Sequence, residues 1–196
     1  MRHDYLLEGY AYRIRPIALS DAAAIVVLRT LPRNSMYIHD TSSILEDQET
    51  WLERYFERSG DWYFAIERIG SDRVEGLIGL YDQDLALRAA EWGRWIVQDG
   101  SMAAVESARL IYRLAFEKLG LTEAYCRTIA RNTKVVAFHD SSGASRTQVL
   151  KGSAAIRGFI YDQIEHRVTR ELWPTVDAKL GRLAERIAAR LNRIPS

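Results

Sequence analysis

Residues 91–121 read EWGRWIVQDGSMAAVESARLIYRLAFEKLGL. The run opens as a strand over Glu91 to Val97, passes through the small-residue stretch Gln98 to Ala104, and continues as a helix. Val105, Ala108, Ile111, Tyr112, Ala115 and Leu119 form an apolar stripe at helical spacing, which predicts a helix from Ser101 to Leu119. Gly120 stops it in the manner of a C′ glycine. A strand that runs through a short, nearly side-chain-free loop into a helix can serve as an anion site. First-turn N–H groups lack intrahelical partners, and the helix dipole favours negative charge. Gly100, Ser101, Ala103 and Ala104 leave the backbone open to a phosphate. The same stretch also reads as an ordinary loop with Ser101 as the N-cap.

Working outward, Ala124 to Ala130 reads as a strand and Thr133 to Ser141 as a short helix stopped by Gly143. Gln148 to Val149 and Gly158 to Val168 read as a terminal hairpin. Ala178 to Leu191 reads as a last amphipathic helix with an arginine-rich side (Arg182, Arg186, Arg190, Arg193). Toward the N-terminus, Asp61 to Ile69 alternates with period two, and Gly70 to Asp72 is a turn. Val74 to Tyr81 is its partner strand, so three strands follow one another as an antiparallel meander. Glu46 to Glu57 is a helix with Trp51 and Tyr55 four apart on one face. Pro32 to Ser43 is a polar loop, Ala22 to Leu28 a helix, and Tyr12 to Ile17 a strand. Alternating strands and helices predict an α/β (α+β) fold with a mixed, mainly antiparallel central sheet and helices on both faces. Residues 1–175 are expected to form one domain. Residues 176–196 are expected to add a C-terminal amphipathic helix docked on it.

Composition bounds the function. The chain has 196 residues, 47% hydrophobic and 27% charged, with a net charge of +1, so nothing in its charge calls for nucleic acid. No apolar run reaches the roughly 20 residues of a membrane span, and the start has no signal-peptide pattern. A cytoplasmic location is the expectation. One cysteine, Cys126, allows no internal disulfide. His3, His39 and His166 have no metal-ligand spacing. The zinc-hydrolase, nucleophile-elbow and P-loop motifs are missing from the sequence, and no metal is expected.

Two further constellations could carry chemistry. Asn132 and His139 stand seven residues apart, nearly two helical turns, and so lie on one line of the short helix. An amide and an imidazole so placed could hold a ligand arm and exchange a proton. On spacing alone, a helix N-cap and a hydrogen-bonded histidine is the simpler reading of the pair. Glu91 sits among Trp92 and Trp95, and a carboxylate in apolar surroundings can act as a general base. It reads equally as one half of a Glu–Arg pair. Strict alternation puts Glu91, Gly93 and Trp95 on one face and Trp92, Arg94 and Ile96 on the other.

Set in order, these pieces resemble the GNAT superfamily of acetyl-CoA-dependent N-acetyltransferases, over about residues 10 to 173. EWGRWIV with the following helix resembles that family's fourth strand and pyrophosphate-binding helix. TEAYCRTIARNTKVVAFHDSSG (residues 122–143) resembles its fifth strand and next helix. Two positions depart from the family. Its loop Arg/Gln-x-x-Gly-x-Gly/Ala here reads Asp99 to Ala104 with Met102 at the central glycine, and its usual tyrosine is His139. The resemblance implies acetyl-CoA as acyl donor and a small-molecule amine as acceptor. It implies cofactor contacts at Ile96, Val97, Gln98, Gly100, Ser101, Met102, Ala103, Ala104 and Asn132. Glu91 is implied as base and His139 as the acid for the departing thiolate. Arg33, Asn34 and Tyr37 are the acceptor-pocket candidates. Together with the Trp-containing second helix, they resemble acetyltransferases of nucleotide-linked amino sugars. Protein N-terminal acetylation and a non-catalytic coenzyme A-binding module are the rival readings, and a homodimer is left open.

Overall fold

The computed structural model describes residues 2–71 and 73–193. Asp72, at the end of the expected turn, and the last three residues of the C-terminal segment lie outside them. Eight strands form one sheet in the order β1-β2-β3-β4-β5-β6-β8-β7. They are β1 (Leu7–Glu8), β2 (Tyr12–Pro16), β3 (Trp62–Arg68), β4 (Val74–Asp84), β5 (Ala89–Val97), β6 (Glu123–Ile129), β7 (Ser145–Ile156) and β8 (Phe159–Thr169). Every neighbouring pair is antiparallel except β5–β6, which is parallel. The helices are α1 (Ala22–Thr30), α2 (Pro32–Ser35), α3 (Leu45–Phe56), α4 (Ala104–Arg113), α5 (Thr133–Ser142) and α6 (Trp173–Leu191).

The helices cover both faces. Phe64, Ile66, Ile78, Leu80 and Trp92 meet α4 and α6 in one core. Tyr63, Ala65, Leu77 and Ile96 meet α1 and α3 in the other. Alternation along β3 and β4 thus divides the cores, as period-two strands require. On α6, Val176, Leu180, Ala184 and Leu191 are buried. That helix begins at Trp173, ahead of the expected Ala178, because Pro174 suits a first turn.

Three local departures from the sequence reading shape the site. Within the expected polar loop, Pro32 to Ser35 closes one helical turn. The long helix starts at Ala104 rather than Ser101. The Ser101 hydroxyl accepts from Ala103 N–H (3.2 Å) and donates to Glu75 Oε2 (2.6 Å), while Gly100 takes φ +79°. Those bonds hold the loop in a turn. The end of α4 widens into a π-type turn over Leu114–Lys118 before Gly120 (φ +63°) terminates it.

The third departure is in β5. Leu77 pairs with Ile96 but Gly79 with Gly93, so two residues, Arg94 and Trp95, oppose Ile78 alone. This is a β-bulge with Arg94 in the left-handed region (φ +49°). The strict alternation expected for β5 fails at this point. Trp95 turns to the α4 side beside Trp92, ring centroids 5.6 Å apart, while Ile96 faces α1.

Candidate active site

β5 and β6 pair at Ala89–Glu123, Ala90–Ala124 and Glu91–Tyr125. Past Glu91, no β5–β6 pair forms among the described residues, and a cleft of about 310 Å³ opens between Trp92–Trp95 and Cys126–Ile129. Glu91 therefore stands at the point where the strands part. Its carboxylate accepts from Tyr81 Oη (3.4 Å) and pairs with Arg127 (3.1 Å). Burial raises its pKa above the ordinary carboxylate value, against the pull of Arg127. The general-base reading and the Glu–Arg pair thus describe one residue. Gly93 makes this arrangement possible, since a Cβ there would collide with the Tyr81 hydroxyl.

The backbone of β5 supplies a donor. Gln98 N–H donates to Glu75 O at 2.7 Å. By the alternation of an antiparallel ladder, the Val97 N–H then points away from β4, into the space that β6 has left. The same alternation turns the Ile96 N–H into the ladder. Of these two expected donors, Val97 is the one aimed at the cleft.

A second cavity of about 500 Å³ adjoins the cleft through Tyr37, Ile38, Trp95, Asn132 and Val135. The expected cofactor residues Ile96, Val97, Ala104 and Asn132 line it, as do the cations Arg33, Arg131 and Lys134. Asn132 is the N-cap of α5, and its carbonyl accepts from Val135 and Val136. Gln98, Gly100, Ser101, Met102 and Ala103 do not line the cavity. Met102 N–H donates to Tyr12 Oη (3.3 Å), and Ala103 N–H is held by Ser101. The first intrahelical bond of α4 is Ser107 N–H to Ala103 O. The amides of Ala104, Val105 and Glu106 precede it and are the ones the helix leaves for an anion. Asp99, at the position where the family usually has a basic residue, is ion-paired with Arg33. Arg131 and Lys134, which pair with no carboxylate among the described residues, and the N-termini of α4 and α5 together could hold an anionic group such as a pyrophosphate.

Of the expected acceptor residues, Arg33, Asn34 and Tyr37 line this second cavity. Asn34 Nδ2 donates to Leu28 O (2.7 Å) and Tyr37 Oη to Arg131 O (3.3 Å). The single turn of α2 folds the segment toward the start of α5, on the cofactor side. A third chamber of about 490 Å³ lies beyond Tyr81, between α1, α3 and the sheet. Arg29, His39, Tyr81 and Arg94 line both it and the cleft. Arg94 makes a bidentate pair with Asp61 (2.6 and 2.9 Å) and lies over the Tyr81 ring (4.4 Å). The sequence reading did not single out Tyr81, Arg94 or Arg29. The cross-strand pairing of Tyr81 with Glu91 was the signal available for the first.

His139 lines the cleft wall but is only 2% exposed. Its ring lies 5.2 Å from Trp92 and 6.0 Å from Trp95, and its Nε2 is 3.5 Å from Cys126 Sγ. Behind it, His166 Nε2–H donates to Asp140 (2.9 Å). Burial first, then His166, drives the His139 pKa down to about 3. At neutral pH its imidazole is uncharged.

Among the described residues, no helix is long and apolar enough to cross a membrane, and no cluster of three metal-ligating side chains forms. No curated protein matches the sequence. Solved structures do match in fold. A putative acetyltransferase from T. thermophilus is 24% identical, with TM-score 0.80, over 93% of this chain and 98% of that one. FdhC, a nucleotide-linked sugar GNAT, is 24% identical with TM-score 0.78, over 93% and 99%. A spermidine N-acetyltransferase SpeG chimera, from Vibrio cholerae and hSSAT, is 16% identical with TM-score 0.73, over 84% and 98%. Residues 12–145 match the acetyltransferase (GNAT) domain, well over half of the sequence. With strands parting at Glu91 beside a cationic cavity, and with that match, the chain belongs to the GNAT acetyltransferases.

Proposed function

We propose that this chain transfers the acetyl group of acetyl-CoA to the primary amine of an amino sugar or sugar nucleotide. The observation that carries the reading is continuity. The cationic cavity shares Tyr37, Ile38, Trp95, Asn132 and Val135 with the β5–β6 cleft, and the cleft shares Arg29, His39, Tyr81 and Arg94 with the third chamber, so the three run side by side. A donor anchored by its phosphates in the first would lay its thioester in the second, where an amine arriving from the third meets it. The third chamber pairs the aromatic wall of Trp51 with polar groups from Thr41, Ser42, Asp47 and Gln48. That mixture suits a hydroxyl-rich ring, which offers one apolar face and many hydrogen-bonding edges.

The residues then take these roles. Glu91, through water, accepts a proton from the substrate ammonium, and its raised pKa suits it to that task. The freed amine attacks the thioester carbonyl carbon. The Val97 N–H stabilises the oxyanion that forms. The nitrogen passes its second proton to solvent, the C–S bond breaks as the tetrahedral intermediate collapses to the amide, and coenzyme A leaves as the thiolate. A thiol of pKa near 8.5 leaves without protonation in advance, so the neutral His139 ring serves as cleft wall and solvent supplies the thiolate's proton. Arg33, Arg131, Lys134 and Asn132 hold the donor; Arg33, Asn34 and Tyr37 act on that side.

The test begins with calorimetric titration of acetyl-CoA and CoA, followed by mass-spectrometric detection of N-acetyl products from amino sugars, sugar nucleotides and N-terminal peptides. Micromolar donor binding and an acetylated sugar are expected. Absence of binding at millimolar donor would refute the reading. Acetylation of peptides alone would replace the acceptor. Binding without any product would favour a non-catalytic coenzyme A module.

A further inference from the structure

The charges around the third chamber are unevenly satisfied. Arg94 is neutralised by Asp61. Asp40 pairs with Arg157 (2.6 Å). Asp47 sits in the first turn of α3, where the helix dipole favours a negative group, and accepts from Ser42 Oγ (2.6 Å). The cation that remains is Arg29. It projects from the last turn of α1 and is half-buried. Its guanidinium donates to Thr41 Oγ1 (2.6 Å) and more weakly to His39 O (3.4 Å), and it faces the Tyr63 hydroxyl. No carboxylate lies within 4.0 Å of it among the described residues. These neutral partners hold the group in place and leave its charge uncompensated. Removing a guanidinium partly from water without an anion has a cost that a bound anion would relieve.

Arg29 lines both the chamber and the cleft, as Tyr81 does. An acceptor whose amine points at Glu91 past Tyr81 would bring groups a few bonds from that amine to Arg29. The aromatic wall continues away from it, with Trp51 stacked on Tyr55 (5.7 Å, 3° between planes) and Tyr63 edge-on to both. Resting on the acetyltransferase reading above, we infer that the acceptor is an amine bearing a phosphate or carboxylate, and that Arg29 is the residue that selects it by binding this anion. The fork geometry of a guanidinium suits either oxyanion, while a polyamine would place a second cation against it.

The experiment uses matched acceptors that differ in the anion alone. Glucosamine 6-phosphate is compared with glucosamine, tyrosine with tyramine, and spermidine serves as the cationic control. Each is measured for kcat/KM with acetyl-CoA, and for binding to the CoA-saturated protein by calorimetry, so that the result does not depend on turnover. The anionic member of one pair should win by roughly tenfold or more, as a charge-assisted bidentate contact would give. Which pair shows this preference tells phosphate from carboxylate. Arg29→Gln should bring that ratio to about 1 and Arg29→Lys should keep part of it, with donor Kd and Tm reporting on folding. Equal or better binding of the anion-free amines or spermidine overturns the inference, and so does a preference that Arg29→Gln leaves intact. Anion-dependent binding without any acetylated product upholds the anion site and sinks the transferase reading instead.

Discussion

Acidification should destabilise this protein through His139 before the ion-paired carboxylates of Asp140 and Glu165 begin to protonate. The imidazole is enclosed by Trp92, Trp95, Phe138 and His166, and its pKa is held at about 3 against an ordinary 6.5. In the unfolded chain it takes up a proton near pH 6.5; in the folded chain it does not until near pH 3. A group whose folded pKa is depressed leaves stability intact above the unfolded pKa and withdraws it as pH falls toward the folded one. Each pH unit in that window costs about 1.4 kcal/mol. From pH 6.5 to 4.5 the loss is about 3 kcal/mol, a large part of the 5–15 kcal/mol that holds a typical domain together. Asp140 and Glu165 withdraw their contributions as pH falls from the ordinary carboxylate values of 3.8 and 4.5 toward about 2, so they weigh little from pH 6.5 to 5 and add to the His139 loss below that. His3 is shifted in the same direction as His139 by burial, and Glu91 in the direction of opposite effect, but both remain when His139 alone is replaced. Urea unfolding at pH 7.0, 6.0, 5.0 and 4.5 would be run on the wild type, His139→Phe and His139→Asn. The variants start less stable but should lose about 3 kcal/mol less across the window. Parallel curves for all three proteins would refute the buried, neutral imidazole and reopen its role as an acid.

Three further outcomes follow from the same geometry. Glu91→Gln should lower kcat/KM by about 10²–10⁴-fold while leaving donor Kd unchanged. It should also abolish the acid limb of the wild-type pH profile, a limb displaced above the ordinary carboxylate range by the burial of Glu91. Gly93→Ala should cost about 1–3 kcal/mol of stability by driving a methyl into Tyr81 Oη. Adding Tyr81→Phe, which removes the obstructing atom, should recover most of that in a thermal melt but none of the activity. Glu106 is 1% exposed and accepts the N–H groups of Tyr10, Ala11 and Tyr12. Glu106→Gln leaves part of that set unmatched and should cost about 2–4 kcal/mol in denaturant unfolding.

What could be read in the sequence was whatever periodicity controls. The meander of β3, β4 and β5, the apolar stripe of α4, the Gly143 stop of α5 and the Trp51–Tyr55 face all follow from spacing along one element. The Arg94 bulge does not, because it is a mismatch of count between two strands, and EWGRWIV alone shows no break in alternation. The start of α4 was missed for a similar reason. Ser101 is a fair N-cap by type, and its oxygen does accept from Ala103 N–H, but a tie of its hydroxyl to Glu75, 26 residues earlier, holds the segment as a turn ahead of the helix. Glu91 and Asn132 were singled out by their neighbours and spacing and again by the resemblance; strand order is what sets them along the cleft between β5 and β6. The third chamber draws on α1, the α2–α3 connection, α3, β3, β4 and β5. No local pattern marks residues assembled from six segments, so the sequence reading did not bring them together; its acceptor candidates Arg33, Asn34 and Tyr37 line the second cavity.

On the proposed reading, the bulge also bears on how donor and acceptor meet. A regular β5 would alternate Gly93, Trp95 and Val97 on one face and Trp92, Arg94 and Ile96 on the other. Arg94 would then point into the α4 core beside Trp92, and Trp95 would block the opening past Tyr81. The extra residue lets Gly93 and Arg94 share the α1–α3 side, where the guanidinium reaches Asp61 and lies over Tyr81. It sends Trp95 to the opposite side, where the ring packs on Phe138 and His139 and walls the donor cleft. One left-handed residue thus sets the aromatic bulk on the α4 side of the cleft and leaves the small Gly93 and the Tyr81 hydroxyl toward the third chamber. The cost of a non-glycine residue at φ +49°, on the order of 1 kcal/mol or more, is offset by the bidentate pair that the same turn creates. Asp61→Asn weakens that pair without touching either cavity's apolar walls, so a fall in acceptor kcat/KM with donor binding unchanged would locate the function of the bulge on the acceptor side.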